Sequence, residues 1–238
     1  MKRFALLLLL AAAPALAAAI PARITAEYEL VNNGVTIGRV HESFVRSGDN
    51  YEIQSVSRSE GVLKALYDEQ ITLTSTGKVV EQGLKPLQFD ERRSREPKRD
   101  VSATFDWERG VMQSRYRGEV KRYALPPATQ DRISMMYQFM HVRPRQGNMS
   151  LAMSNGRKVE RYTYRLVDEV RVGTPAGEYD TVHFERVTSE PNDRHVEVWL
   201  AKEHNFFPVR VVFDDPRGFR VEQRLVTSGI SVGAGAAS

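Results

Sequence analysis

The chain has no cysteine in its 238 residues, which excludes disulfides, iron–sulfur clusters and thiol nucleophiles together. It also lacks the signatures of common catalytic sites. There is no G-x-S-x-G, no P-loop, no H-E-x-x-H and no dinucleotide-binding glycine series. Acidic and basic residues are interspersed, so the concentrated basic face that a nucleic-acid partner needs is missing. Long apolar runs are missing too, with one exception at the start.

That exception runs from Phe4 to Ala13, behind Lys2 and Arg3, and leads into Ala15-Leu16-Ala17-Ala18-Ala19 with its A-x-A spacing. It reads as a cleavable signal peptide, residues 1–19, and is too short for a membrane span. No cysteine follows to carry a lipid anchor, and no later stretch is long enough to cross a bilayer. The expectation is an exported, periplasmic protein without a transmembrane segment in its mature form. The formal charge of +4 falls to +2 once Lys2 and Arg3 leave. Without staples, the mature chain depends on a hydrophobic core, and its length suffices for one.

From Ile24 onward the dominant pattern is period two. Ile24, Ala26, Tyr28 and Leu30 alternate with polar residues, Asn33-Gly34 supplies a hairpin turn, and Ser47-Gly48-Asp49-Asn50 supplies the next. Further strands read through Tyr51–Arg58, Tyr67–Ser75, Leu87–Arg95, Asp100–Trp107, Val111–Arg117, Glu119–Leu125, Val159–Val167, Tyr179–Val187 and the alternating Phe207, Val209, Val211, Phe213. Val62, Leu63 and Leu66 fit one helical turn packing inward. Between Pro126 and Pro144 the period changes: Ile133, Met136, Tyr137 and Met140 recur at helical spacing, Thr129 or Asp131 can cap, and Pro144 stops the helix. The fold class expected is mainly β: a curved antiparallel sheet or half-open barrel of about a dozen strands wrapped on one main helix, about 129–142. A single domain over 20–228 and a disordered Gly/Ala-rich tail over 229–238 complete the organisation.

Four groups of residues qualify as candidates for function. Apart from the initiator and Met112, every methionine lies between Met135 and Met153; flexible thioethers suit an apolar ligand, so Met135, Met136, Tyr137 and Met140 are candidates for a groove between helix and sheet. If Val182 and Phe184 on one strand and Val196, Val198 and Leu200 on another face the core, His183, Glu185, His195 and Glu197 share the opposite face. A register placing 183 opposite 197 and 185 opposite 195 makes two His–Glu pairs, able to bind a metal or act as acid and base, and equally able to be a solvated sheet face. Arg115, Tyr116, Arg117, Lys121, Arg122 and Tyr123 interleave bases and aromatics, as a nucleic-acid or phosphate surface does and, more often, an exposed strand face with stacked Arg stems. The charged turn from Arg92 to Arg99 can be a small anion-binding tip, and more commonly such a turn is a solvated hairpin end. Ser75 to Lys78 spells S-x-x-K without the helix start or companion elements that chemistry needs. No cofactor is implied.

Several segments together resemble an exported bacterial family, domain of unknown function 3108. These are Leu125-Pro126-Pro127 leading into Gln130 to Tyr137, the turn Gly173-Thr174-Pro175-Ala176-Gly177-Glu178-Tyr179, Val198-Trp199-Leu200-Ala201 with Phe207-Pro208-Val209-Arg210, and Ser59-Glu60-Gly61 through Leu66. The resemblance implies an envelope protein of Gram-negative bacteria, mostly β, with no assigned activity. Its architecture is similar to the half-barrels of lipoprotein carriers, which enclose acyl chains. The leading expectation is therefore a non-enzymatic periplasmic protein that binds an apolar ligand or an envelope partner. The alternatives are an envelope hydrolase or metal-dependent enzyme using the His/Glu face, and a structural interaction module binding through a sheet edge.

Overall fold

The computed structural model describes residues 21–142, 147–188, 193–216 and 218–231. The segment read as a signal peptide and the tail beyond Ser231 lie outside them. Alternating sequence becomes fifteen strands: β1 (Arg23–Asn32), β2 (Val35–Ser47), β3 (Asn50–Ser59), β4 (Gln70–Val80), β5 (Gly83–Arg93), β6 (Val101–Asp106), β7 (Val111–Tyr116), β8 (Glu119–Ala124), β9 (Gln130–Asp131), β10 (Asn148–Ser154), β11 (Val159–Thr174), β12 (Gly177–Val187), β13 (His195–Ala201), β14 (Phe207–Asp214) and β15 (Arg220–Ser231). Two helices interrupt them, α1 (Gly61–Leu66) and α2 (Ser134–Val142).

All fifteen strands belong to one sheet, in the order β8-β7-β6-β5-β4-β3-β2-β1-β15-β14-β13-β12-β11-β10-β9. The chain runs through β1–β8 as one meander, crosses over, and comes back as a second meander whose last strand pairs with β1. The count exceeds the expected dozen because β9 is only two residues long and β10, read from sequence as a polar segment, is paired through Met149, Leu151 and Met153. The β9–β10 pair is parallel. β15 continues through Ser231, three residues into the segment read as a tail. The expected turn at Asn33-Gly34 forms with both residues left-handed, φ 48° and 79°, the geometry that matches the twist of a two-residue hairpin.

The first helix departs from expectation. The hydrogen bond of Glu60 N–H to Ile37 O at 2.9 Å fixes the start of α1 on β2, close enough that a Cβ on Gly61 would lie 3.3 Å from Thr36 O. In that orientation Val62 and Leu66 are 69% and 77% exposed instead of packing inward.

The second helix starts later than expected, because Gln130 and Asp131 are spent on β9. Asp131 then caps it: Oδ1 accepts the N–H groups of Ile133 (3.0 Å) and Ser134 (2.9 Å), while Ser134 Oγ accepts the Asp131 N–H (2.9 Å). That reciprocal cap satisfies the orphan donors of the first turn. Tyr137 stacks on Phe44 of β2 with 5.3 Å between centroids and meets Phe207 of β14 edge-on at 6.3 Å. Phe139 meets Tyr164 of β11 edge-on at 5.7 Å. Gln138 accepts the Leu84 N–H and donates to Gln82 O, both at 2.8 Å. Gly83, left-handed at φ 114°, lies so close that a Cβ there would come within 2.2 Å of Gln138 Oε1. Strands as distant in the sheet as β5 and β11 thus meet one helix of nine residues, which only a strongly bent sheet allows.

Candidate functional site

The two ends of the sheet overlap without joining. The turn from β10 to β11 lies on the inner face of the first meander: Ser154 Oγ reaches Met112 Sδ at 3.0 Å, and a Cβ on Gly156 would come within 2.6 Å of Val101 and 2.9 Å of Phe89. The hairpin β7–β8 projects past that contact. Between its inner face and the turn lies a groove of about 420 Å³, lined by Ser114, Tyr116, Glu119, Lys121, Tyr123, Asn155, Arg157 and Lys158.

The groove's chemistry follows from the strand period. Tyr116, Lys121 and Tyr123 come from the base–aromatic run, and alternation sorts it: these three point to the groove with Ser114 and Glu119, while Arg115 and Arg122 take the other face. Across the gap, Asn155 Oδ1 accepts the N–H groups of Arg157 and Lys158 at 2.9 and 3.1 Å, which shapes the turn. Arg157 and Arg117 both lie over the Tyr116 ring, at 5.2 and 5.3 Å. Burial acts upward on the Tyr116 hydroxyl, but hydrogen bonding to Arg157 and the two guanidinium charges prevail and its pKa lies below the ordinary tyrosine value. Lys121 pairs with Glu119 at 2.9 Å and Lys158 with Glu160 at 2.7 Å. These pairs are exposed and worth little, so an incoming anion can exchange for them. Arg157 and Lys158 carried no signal in sequence; only the overlap of the sheet ends brings them to the groove.

The candidates on α2 lie elsewhere. Met135, Tyr137 and Met140 are buried and Met136 is half-buried between the two apolar clusters. Met135 Sδ sits 3.7 Å from the Tyr164 hydroxyl. An apolar ligand in this space has to displace side chains that already fill it.

Two carboxyl groups reach the same interior. Glu42 accepts from Ser55 Oγ at 3.1 Å and from Tyr137 Oη at 3.3 Å, and burial outweighs those bonds to push its pKa up to about 7. Asp131 is fully buried and also accepts from Ser75 Oγ at 2.5 Å; burial again wins over its hydrogen bonds and lifts its pKa to about 6. Ser75, first residue of the S-x-x-K pattern, is therefore mid-strand and committed to Asp131, while Lys78 reaches Asn50 Oδ1 at 2.7 Å.

His183, Glu185, His195 and Glu197 do share one face, opposite the cluster of Val182, Phe184, Val198 and Leu200. The register is two residues off the expected one: His183 faces Trp199 and Glu185 faces Glu197. Trp199 takes the place because it stacks on His183 (4.2 Å, 7°) with Arg210 over its other side at 4.4 Å. His183 meets Glu197 diagonally at 2.9 Å and Asp168 at 3.1 Å, His195 meets Glu197 at 3.3 Å, and Glu185 goes to Arg165. Among the described residues no group of three or more His, Asp or Glu side chains could hold a metal ion. The turn from Arg92 to Arg99 is tied by pairs of Arg92 with Asp90, Arg93 with Glu91 and Arg99 with Glu96. No helix among the described residues is long and apolar enough to cross a membrane.

A search of curated protein sequences gives no significant match. Among solved structures, the fold is similar to a beta-barrel-like protein of domain of unknown function DUF1849 from Brucella abortus, 14% identical over 89% of this chain and 99% of that one, with a TM-score of 0.58. A protein described as exported and YmcC-like in fold, from Bacteroides fragilis, is 11% identical over 88% and 96% of the two chains at a TM-score of 0.32. One described as a lipoprotein, from Parabacteroides distasonis, is 10% identical over 88% and 95% at 0.31. The family described as protein of unknown function, DUF3108, matches residues 24–224, nearly the whole sheet, and the chain belongs to it.

Proposed function

We propose that the protein is an exported, non-enzymatic binding protein of the cell envelope that takes an anionic group in the groove at the open seam of its sheet. The observation that carries this reading is the convergence of Lys121, Arg157 and Lys158 with the Tyr116 and Tyr123 rings on about 420 Å³ of open space, where the sheet fails to close. Cations set beside aromatic faces attract and orient anions while leaving an apolar wall. Export rests on the Lys2-Arg3 start, the Phe4–Ala13 run and the A-x-A series. The reading of α2 as one wall of an apolar ligand groove has less support, since Met135, Tyr137 and Met140 already pack against strands.

Titration of the isotope-labelled protein with inorganic pyrophosphate tests this. Chemical shifts are expected to move at Tyr116, Lys121, Tyr123, Asn155 and Arg157, and to stay still in a Lys121→Glu, Arg157→Glu double variant. Shifts confined to the Arg92–Arg99 turn or to the His183 face would overturn the assignment.

A further inference from the structure

Resting on the groove as the binding site, we infer that its occupant is an extended, acidic segment of a partner protein, added as a further strand on the free edge of β8. Three observations lead there.

The first is which backbone groups are unused. Arg117 and Gly118, both left-handed at φ 53° and 80°, form a two-residue turn that makes Tyr116 and Glu119 a hydrogen-bonded pair. Antiparallel pairing then alternates. Glu119, Lys121 and Tyr123 turn their N–H and C=O groups to β7, whereas Val120, Arg122 and Ala124 turn theirs outward. Among the described residues no strand pairs with that side, and five of the six β8 residues are exposed. Three outward donor–acceptor pairs, roughly 7 Å apart along the strand, await a ladder.

The second is charge. A strand laid there directs alternate side chains into the groove, against Lys121, Arg157 and Lys158, with Glu119 already paired to Lys121, and the others over Val120 and Arg122. Acidic residues at every second position answer the cations on the groove side, and small or β-branched residues suit the other.

The third observation weighs against a second copy of the chain as the occupant. Two β8 strands paired through their outward groups set Lys121 against itself in one register and Arg122 against itself in another, and like charges directly opposite are destabilising; the register that sets Lys121 against Glu119 is the one the test has to separate. Cationic edges also keep strands apart. A second copy on β8 would instead protect Val120, Arg122 and Ala124 before any peptide is added, and that result overturns the acidic partner.

The test uses the full mature chain and a blocked peptide alternating Glu and Thr, about eight residues long so that it spans β8, with a Lys/Thr peptide as control. Addition of the Glu/Thr peptide should slow amide exchange by roughly tenfold or more at Val120, Arg122 and Ala124. Glu119, Lys121 and Tyr123, already paired with β7, should change little, and the Lys/Thr peptide should do nothing. Arg122→Pro removes an outward donor without touching the β7 ladder. It should abolish the peptide effect while pyrophosphate still shifts Lys121 and Arg157. If pyrophosphate shifts the groove but the peptide leaves the alternate amides exchanging freely, strand addition is overturned and the anion-binding groove stands. Equal protection by the Lys/Thr peptide overturns the acidic preference. If neither probe perturbs the groove, both readings fall.

Discussion

The sheet has two ends, and the chain treats them in opposite ways. β9 is two residues long, and both are buried. Gln130 donates to Leu84 O at 2.8 Å, and Asp131 ties β4 to the start of α2. β8 is three times as long, carries no neighbour on its outer side among the described residues, and is exposed along nearly all of it. An unpaired edge is a liability wherever it occurs. At one end the liability is removed by shortening and burial, with Ser134 Oγ taking the Asp131 N–H. At the other the edge is kept long and given positive charge, which is how an edge is held open for a selected partner.

Substitutions on the helix that follows β9 and on β8 should therefore differ most in stability. Tyr137→Ala removes the stacking on Phe44 and the edge contact with Phe207, and leaves Glu42 short of a hydrogen bond. A cost of about 3–5 kcal/mol is expected in urea unfolding. Tyr123→Ala, on the half-exposed groove wall, should cost about 1 kcal/mol or less. Equal losses would erase the distinction between the packed helix behind β9 and the binding edge on β8.

The interior carboxyl groups sharpen the same contrast through pH. Burial holds Glu42 near 7, above the ordinary 4.5 of a free glutamate. A group whose pKa is raised by folding stabilises the fold in its protonated form, so the contribution is complete below about 4.5 and is lost as pH rises through about 7. The shift corresponds to a loss on the order of 3 kcal/mol across that window, and Asp131, raised to about 6, acts in the same direction at slightly lower pH. Unfolding free energy should fall between pH 5 and pH 8, and Glu42→Gln should flatten the part of that slope due to Glu42. A native chain with no such slope would mean that water reaches Glu42 freely.

Much of this was legible in the sequence where local pattern decides structure. The Asn33-Gly34 hairpin, the paired turns of the first meander, and the cap by Asp131 follow from residue chemistry within a few positions. The inward faces of β12 and β13 follow from strand period; on β14 an irregularity opposite Trp199 and Leu200 breaks the alternation, so Phe207 and Val209 join one apolar cluster and Val211 and Phe213 the other. What failed depended on distant partners. Val62 and Leu66 have helical spacing and an apolar character, yet with the start of the helix tied by Glu60 N–H to Ile37 O they lie exposed to solvent. The His183 register slipped by two because Trp199, between His183 and Arg210, makes the better stack. The groove was half visible, as a run of bases and aromatics on β7 and β8. Its other bank comes from a turn more than thirty residues on, and no local pattern foretells that overlap.

The last comparison is between neighbours in that turn. Gly156 is left-handed at φ 79° and touches Val101 and Phe89 on its missing Cβ side, so Gly156→Ala combines backbone strain with overpacking and should cost about 2 kcal/mol or more. Arg157, the next residue, points into the groove and lies over Tyr116. Its replacement by Ala should change unfolding by no more than about 0.5 kcal/mol, while weakening pyrophosphate binding at least severalfold through loss of one charge from the site. One side chain absent and one extended, side by side, thus separate what closes the overlap from what the overlap is open to receive. If Arg157→Ala destabilises the fold as much as Gly156→Ala does, the guanidinium is part of the closure and the groove loses its principal anion contact.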